Sequence, residues 1–467
     1  MKKIKSIGTI FAIILIYIAP HAYAGGFSIE LSERLYYANH SEYLSVIVRM
    51  VEQSDLRAAT LGIVRRNKAL RSKNVIKALK AAAISTQEDL IKFLEKEKSL
   101  GNIAHYSPFW IFNGLSVKAT PEVIKKIASR NDVDRVSEDL PIPPPVLFPG
   151  TRLQSESPYT WNIEKIKAPE VWWDMGYNGN GVVVGILDTG VDVNHPDLAS
   201  KYRGGDNSWF DPHEEYTFPV DAAGEYTGHG THIAGIILGG NASGHYIGVA
   251  PGAKWIAARI WNDAGEDAQS KDMHKIFQWF MDPDGEPSTD DAPDVVNNSW
   301  GFKLRDIFPW CLRDFQDDIE AWRAAGIIPV FSAGNSGPWF FTGESPANYP
   351  ETIAVGATNP SDSIAFFSSR GPNNCNLSIF PDISAPGVAI YSSAPDGAYR
   401  ADFGTSVAAP HVVGTIALML DANPTLSIEK IESTLKETAT PLGSFHPNFT
   451  YGWGRVDALE AVSAVMP

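Results

Sequence analysis

Gly404-Thr405-Ser406-Val407-Ala408-Ala409-Pro410-His411 leads into a long apolar run from Val412 to Leu420. Gly404 and Thr405 permit a tight turn, and the run has the length and composition of a buried helix. Ser406 therefore falls at or just before the first helical residue. The first N–H groups of a helix have no partner inside it, and the aligned peptide dipoles leave partial positive charge there. A serine in that place can cap the helix, or it can be a nucleophile whose developing oxyanion meets those N–H groups. The stretch alone leaves both readings open.

Upstream, Gly181–Leu187 is a fully apolar strand of the kind buried on both faces of a parallel sheet. It ends at Asp188-Thr189-Gly190, which puts a carboxylate at a strand's C-terminal end, where open α/β sheets gather their active sites. Thr227-Gly228-His229-Gly230-Thr231-His232 opens a helix, with glycines on both sides of His229 for close backbone approach. A His229/His232 metal pair lacks a third ligand within the motif, and His232 reads as a buried, hydrogen-bonded residue. Trp255–Ile260, Val295–Trp300 and Ile327–Phe331 read as further strands, separated by helical patterns such as Asp314–Ala325. Strand and helix alternating in this way predict an α/β domain with a doubly wound parallel sheet and helices on both faces.

Asp188, His229 and Ser406 stand in the chain order known for subtilisin and differ in order from the chymotrypsin and α/β-hydrolase groups. Around them, Asp188-Thr-Gly-Val-Asp192 with His195-Pro-Asp-Leu198, His229-Gly-Thr-His-Ile-Ala-Gly235, Ser332-Ala-Gly-Asn335 and Gly404–His411 resemble the subtilisin-like serine proteases. Asn298-Ser-Trp-Gly301, Phe367–Pro372 and Gly452–Val456 look most like the bacillopeptidase F branch of that family. The resemblance covers roughly 155–467, and 43–139 resembles the family's inhibitory prosegment.

The resemblance implies a subtilisin-like fold and a serine endopeptidase that needs no cofactor for catalysis. It makes His229 the base for Ser406, Asp188 the group that holds the imidazole, and Asn335 the side chain completing an oxyanion hole with the Ser406 N–H. An extended substrate would bind between Ser299-Trp300-Gly301 with Gly334 and the stretch near Asp263–Ala268. Asn262–Ala268 is acidic, which predicts tolerance for basic residues, and Trp300 is bulky for such a segment. Asp197 matches a structural calcium ligand of the family, whereas Gly239–Ile247, the expected source of the other ligands, does not match. The acidic insertion from Asp282 to Asp294 reads as a solvated loop, with calcium binding as the alternative.

The N-terminus places Lys2, Lys3 and Lys5 before an apolar run, Ile7–Ala19, and Ala22-Tyr23-Ala24. That is the pattern of a secretory signal peptide over 1–24, and the run is shorter than a membrane span. Residues 25–139 predict an α+β module in the order strand, helix, strand, helix, strand; after a basic helical stretch Ser85–Glu88 signals a helix start, and Thr120-Pro121-Glu122 opens a further helix with a cap and a proline in its first turn. By resemblance this module is an inhibitor and chaperone. Residues 140–154, with the run Pro143–Pro145, are a linker in which maturation cleavage is expected outside the prolines. The catalytic domain is 155–467.

Of the net charge of −15, residues 140–467 carry 18 basic against 40 acidic side chains, while 25–139 carry 18 against 14. An acidic larger part argues against nucleic acid and anionic membrane as partners, and suggests that the basic module binds it. The two cysteines, Cys311 and Cys375, can pair or remain as buried thiols, and two cannot form a structural zinc site. These readings predict a secreted monomer, extracellular or periplasmic, without a membrane anchor in its mature form, acting on polypeptides. Broad degradation and narrow processing both remain open, and a non-enzymatic binding protein on the same fold is the remaining alternative.

Overall fold

The structure, a computed structural model, describes residues 26–63, 68–145, 149–153, 156–302 and 311–466. Residues 1–24, expected from the sequence to be a signal peptide, lie outside them. The described chain divides into two compact units that do not follow sequence order: residues up to Ser54 with Leu79–Leu140, and Asp55–Ala78 with Pro141 onward.

In the smaller unit, Ser28 Oγ accepts from the Leu31 N–H and caps α1 (Ile29–Tyr37). Four strands, β1 (Leu44–Met50), β2 (Ile103–Phe109), β3 (Gly114–Ala119) and β4 (Val133–Glu138), form an antiparallel sheet in the order β2-β3-β1-β4. Val46, Val48, Leu115 and Val117 alternate onto its buried face against Leu90, Leu94, Ile124 and Ile127. The last two belong to α3 (Pro121–Ala128), which begins at the predicted Thr120-Pro121 signal. The predicted helix start at Ser85 is not there. One continuous helix, α2 (Lys68–Ser99), runs through it. Ser85 Oγ and Thr86 Oγ1 both turn back to the Ala82 carbonyl instead of capping. Gln87 Nε2 is buried and donates to the Phe109 and Gly114 carbonyls and to Asn113 Oδ1.

The larger unit is built on seven strands rich in β-branched and small apolar residues. They are β7 (Val183–Asp188), β8 (Trp209–Phe210), β9 (Lys254–Arg259), β11 (Val295–Asn298), β12 (Ile328–Ser332), β13 (Ile353–Thr358) and β14 (Ile383–Pro386). Their order, β14-β13-β12-β11-β7-β9-β8, is parallel throughout. From β7 the chain goes to β9 on one side and later returns to β11 on the other. The strand ending in Asp188 therefore lies at the topological switch point, where α/β sheets bind ligands.

Two apolar helices pack in the core of this unit, α4 (His229–Leu238) and α7 (Thr405–Ala422). Between them in sequence lie α5 (Ser270–Met281) and α6 (Gln316–Ala325). Among the described residues α7 alone is long and apolar enough to cross a membrane, and it is buried in the core. Short strands complete the unit: β5 (Pro141–Ile142) pairs with β10 (Ala268–Gln269), and β15 (Ile390–Ala394), β16 (Ala398–Asp402) and β6 (Pro149–Gly150) form a three-stranded antiparallel sheet. Cys311 and Cys375 form a disulfide, which answers the question left open by the sequence.

Candidate active site

Asp188 ends β7 and is 1% exposed. Its Oδ1 accepts from the Thr189 N–H at 2.8 Å and faces His229 Nδ1 at 2.7 Å. His229 opens α4 after Gly228, whose φ of 95° suits glycine. Gly230 has to be glycine for a different reason: a Cβ there would lie 2.0 Å from the Gly190 carbonyl oxygen. Burial alone would lower the pKa of His229. The charge and hydrogen bond of Asp188, aided by Asp402 and opposed by Arg400, overcome this and raise it. Its other nitrogen, Nε2, is buried and has no hydrogen-bond partner among the described residues.

Asp221, which the sequence reading missed, ties these two segments together. It accepts from Thr189 Oγ1 at 2.8 Å, the Gly228 N–H at 2.7 Å and the Thr231 N–H at 2.8 Å. Only its position eight residues before His229 could have signalled it. His232 is buried as expected: Nε2 donates to the Ile390 and Arg400 carbonyls, and burial lowers its pKa to about 4.

Ser406 lies in the first turn of α7. Pro410, inside the helix, has no N–H for the Ser406 carbonyl four residues back. Ser299 Oγ takes that carbonyl at 2.8 Å, which fastens the segment after β11 to the serine's own backbone. His411 is held neutral by burial, its pKa lowered to about 3. Nδ1 donates to the Val407 carbonyl and Nε2 accepts from Asn162 Nδ2.

Asn335 Oδ1 accepts from both the Thr405 N–H at 2.9 Å and Thr405 Oγ1 at 3.0 Å. That fixes the amide and turns Nδ2 the other way. A Cβ on Gly404 would lie 2.7 Å from Ser406 Oγ and 3.7 Å from Asn335 Nδ2, so hydroxyl and amide flank one residue. A cleft of about 220 Å³ is lined by Ser406, Asn335, Ser299, Trp300, Gly301 and Gly334, together with Glu344 and Pro143–Pro145.

Two details differ from expectation. The ring of Trp300 does not crowd the cleft; it packs among Phe277, Phe315 and Phe331, with Nε1 donating to Asn298 Oδ1. The acidic stretch is partly neutralised, because Asp263 bonds to buried Arg259 at 3.0 Å and to the Tyr216 hydroxyl at 2.7 Å. The proline run, outside which cleavage is expected, itself lines the cleft. Pro141–Ile142 supplies an edge-strand pairing with β10, where proline is tolerated, and Trp261 Nε1 donates to the Ile142 carbonyl. Glu344, another residue the sequence did not signal, accepts from Ser336 Oγ at 2.7 Å and the Asn335 N–H at 3.3 Å.

The subtilase family model matches residues 179–454. The chain belongs to the subtilase family. It is 38% identical to Bacillopeptidase F of Bacillus subtilis over 92% of its own length and 31% of that protein's. It is 35% identical to Subtilisin E of Bacillus subtilis over 64% of this chain and 70% of the relative, and 35% identical to Subtilisin of Bacillus pumilus over 64% and 98%. The chain thus spans about a third of the Bacillopeptidase F length. Membership places it in a class of serine endopeptidases that need no catalytic cofactor.

The calcium that the resemblance implies at Asp197 does not fit the residues present. Asp197 Oδ1 accepts from the Ala242 N–H at 2.8 Å and Oδ2 from the Tyr399 hydroxyl at 2.6 Å. The Lys201 ammonium occupies the same surroundings and donates to the Leu238 carbonyl. Burial lowers its pKa to about 8, against the pull of Asp197, so it remains mostly protonated at neutral pH. Among the described residues no group of three or more His, Cys, Asp or Glu stands close enough to hold a metal. In the acidic insertion, Asp294 bonds to Lys68 Nζ at 2.8 Å and the Val183 N–H at 3.0 Å, and Asp291 to Asn207 Nδ2 at 2.9 Å.

Proposed function

We propose that this protein is a secreted serine endopeptidase, made as a self-processing zymogen, with Asp188, His229, Ser406 and Asn335 as its catalytic set. Ser406 attacks a peptide carbonyl while His229 Nε2 takes its proton; the tetrahedral oxyanion forms toward Asn335 Nδ2 and the Ser406 N–H. His229 then returns the proton to the leaving amine, leaving an acyl-enzyme that water hydrolyses by the same steps. Asp188 keeps the proton on Nδ1 and stabilises the imidazolium. A serine hydroxyl is a weak nucleophile at neutral pH, so the base is required. The observation that carries the reading is the 2.7 Å Asp188–His229 contact, with the Ser406 hydroxyl and Asn335 amide flanking Gly404.

Substrate lies extended along β10 and the segment Ser299–Gly301, held mainly through its backbone. Residues 25–139 act as prosegment, and maturation cleavage falls within the linker 140–154. Support comes from the linker itself: Pro141–Ile142 pairs with β10, Pro149–Gly150 pairs with β16, and Pro143–Pro145 line the cleft beside Ser406. Export is supported by the charged and apolar N-terminal pattern and by the Cys311–Cys375 disulfide, a bond of oxidising compartments.

N-terminal sequencing of the secreted product tests the reading. Wild type is expected shortened to a start within or just after 140–154, and Ser406→Ala is expected to retain residues 25–139. Identical processing of the two proteins would refute self-cleavage.

A further inference from the structure

Helix α4, which begins with His229, ends at Leu238. The last carbonyls of a helix have no partner within it and carry partial negative charge. Here the Lys201 ammonium donates to the Leu238 carbonyl from a partly buried position. Gly240 follows close by. A Cβ on it would lie 2.7 Å from Asp197 Oδ1 and 3.8 Å from Lys201 Nζ. Carboxylate, ammonium and helix-end carbonyl therefore converge on one glycine, and the absence of a side chain there is what admits them.

We propose that Lys201 is a built-in cation that closes the C-terminal end of the His229 helix beside Asp197, where the family resemblance calls for calcium, so that this place is completed without metal. The donor set argues for an ammonium. Calcium takes six to eight oxygen ligands, carboxylates prominent among them, whereas among the described residues Asp197 belongs to no group of three or more Asp, Glu, His or Cys that could hold a metal. Both of its side-chain oxygens already accept hydrogen bonds, from the Ala242 N–H and the Tyr399 hydroxyl. A second cation would also be repelled, both by Lys201 and by Lys254, whose Nζ donates to the nearby Ser200 carbonyl at 2.7 Å. The ammonium needs only donors pointed at acceptors, and Asp197 supplies the countercharge.

The same arrangement makes Asp197 a structural joint. Its hydrogen bond to Tyr399 holds β16, the strand that leads to Ser406, while its neighbour Lys201 holds the far end of the His229 helix. Both sides of the site are thus fastened at one internal ion cluster.

The test is thermal unfolding of the full chain in a Ser406→Ala background, which prevents autolysis, in excess CaCl₂ and in excess EDTA. The Tm difference between the two conditions is expected to be the same for the parent and for Asp197→Asn, because no calcium depends on Asp197. Lys201→Met is expected to lower Tm by about 3 °C or more, and Lys201→Arg to recover most of the loss. An EDTA-induced fall in Tm that Asp197→Asn abolishes would overturn the proposal. So would a Lys201→Met protein as stable as its parent. If Lys201→Met does not fold, Lys201→Arg and the EDTA comparison still decide.

Discussion

Removing the Asn335 amide isolates the step that stabilises developing negative charge. Its Oδ1 is held by two hydrogen bonds from Thr405, so Nδ2 is oriented before substrate arrives and needs no reorganisation during reaction. Loss of one such donor is worth about 2.7–4 kcal/mol, or about 10²–10³ in kcat, a magnitude measured on subtilisin, a relative of this chain. Asn335→Ala should therefore lower kcat on a chromogenic peptide amide by at least about 100-fold. KM should change little, because the interaction forms only in the transition state. Thr405→Ala is a graded control. It removes the hydroxyl bond at 3.0 Å and leaves the backbone bond at 2.9 Å, and at about 1 kcal/mol per neutral hydrogen bond kcat should fall about fivefold. An Asn335→Ala enzyme within tenfold of wild type in kcat, or one whose defect lies in KM, would refute the reasoning.

The environment of His229 predicts the pH profile. As a base it must be neutral, and its pKa is raised above the ordinary 6.5 mainly because Asp188 outweighs burial, so the acidic limb of kcat/KM should have its midpoint above that value. Asp402→Asn removes a charge that favours the imidazolium and should move that limb to lower pH; a shift upward would contradict the assignment. The Cys311–Cys375 disulfide closes a separation of 64 residues, for which the chain-entropy account gives about 4 kcal/mol, so Cys311→Ser with Cys375→Ser should lose roughly that in denaturant unfolding. Val407, directly after Ser406, is buried and has no sulfur to oxidise beside the proposed nucleophile. Activity should survive peroxide, and rapid inactivation that persists after the chain's methionines are replaced would count against this.

The sheet and the segments of the candidate site were legible because short-range chemistry determines them. Apolar strands that end in Asp188, Asn298 or Ser332, and glycines beside His229 and Ser406, leave a local signature. What escaped the sequence depends on contacts between distant segments. Asp221 looks like any loop acid until four N–H and hydroxyl donors from two segments meet it. Trp300 looked like an obstacle because nothing local reveals that Phe277, Phe315 and Phe331 receive its ring. Ser85-Thr86 mimicked a cap because hydroxyls serve a helix interior through the carbonyl one turn back. Asp197 carries the motif, but that the Lys201 ammonium stands beside it and donates to the Leu238 carbonyl shows only once the chain is folded.

The central claim is that Ser406 is the nucleophile and that His229 activates it. Mass mapping of the adduct formed with a fluorophosphonate tests it most directly. Wild type should carry a single phosphonyl group on the peptide containing Ser406, Ser406→Ala should carry none, and His229→Ala should react far more slowly. An adduct on another residue, or undiminished labelling of Ser406→Ala, would contradict the account.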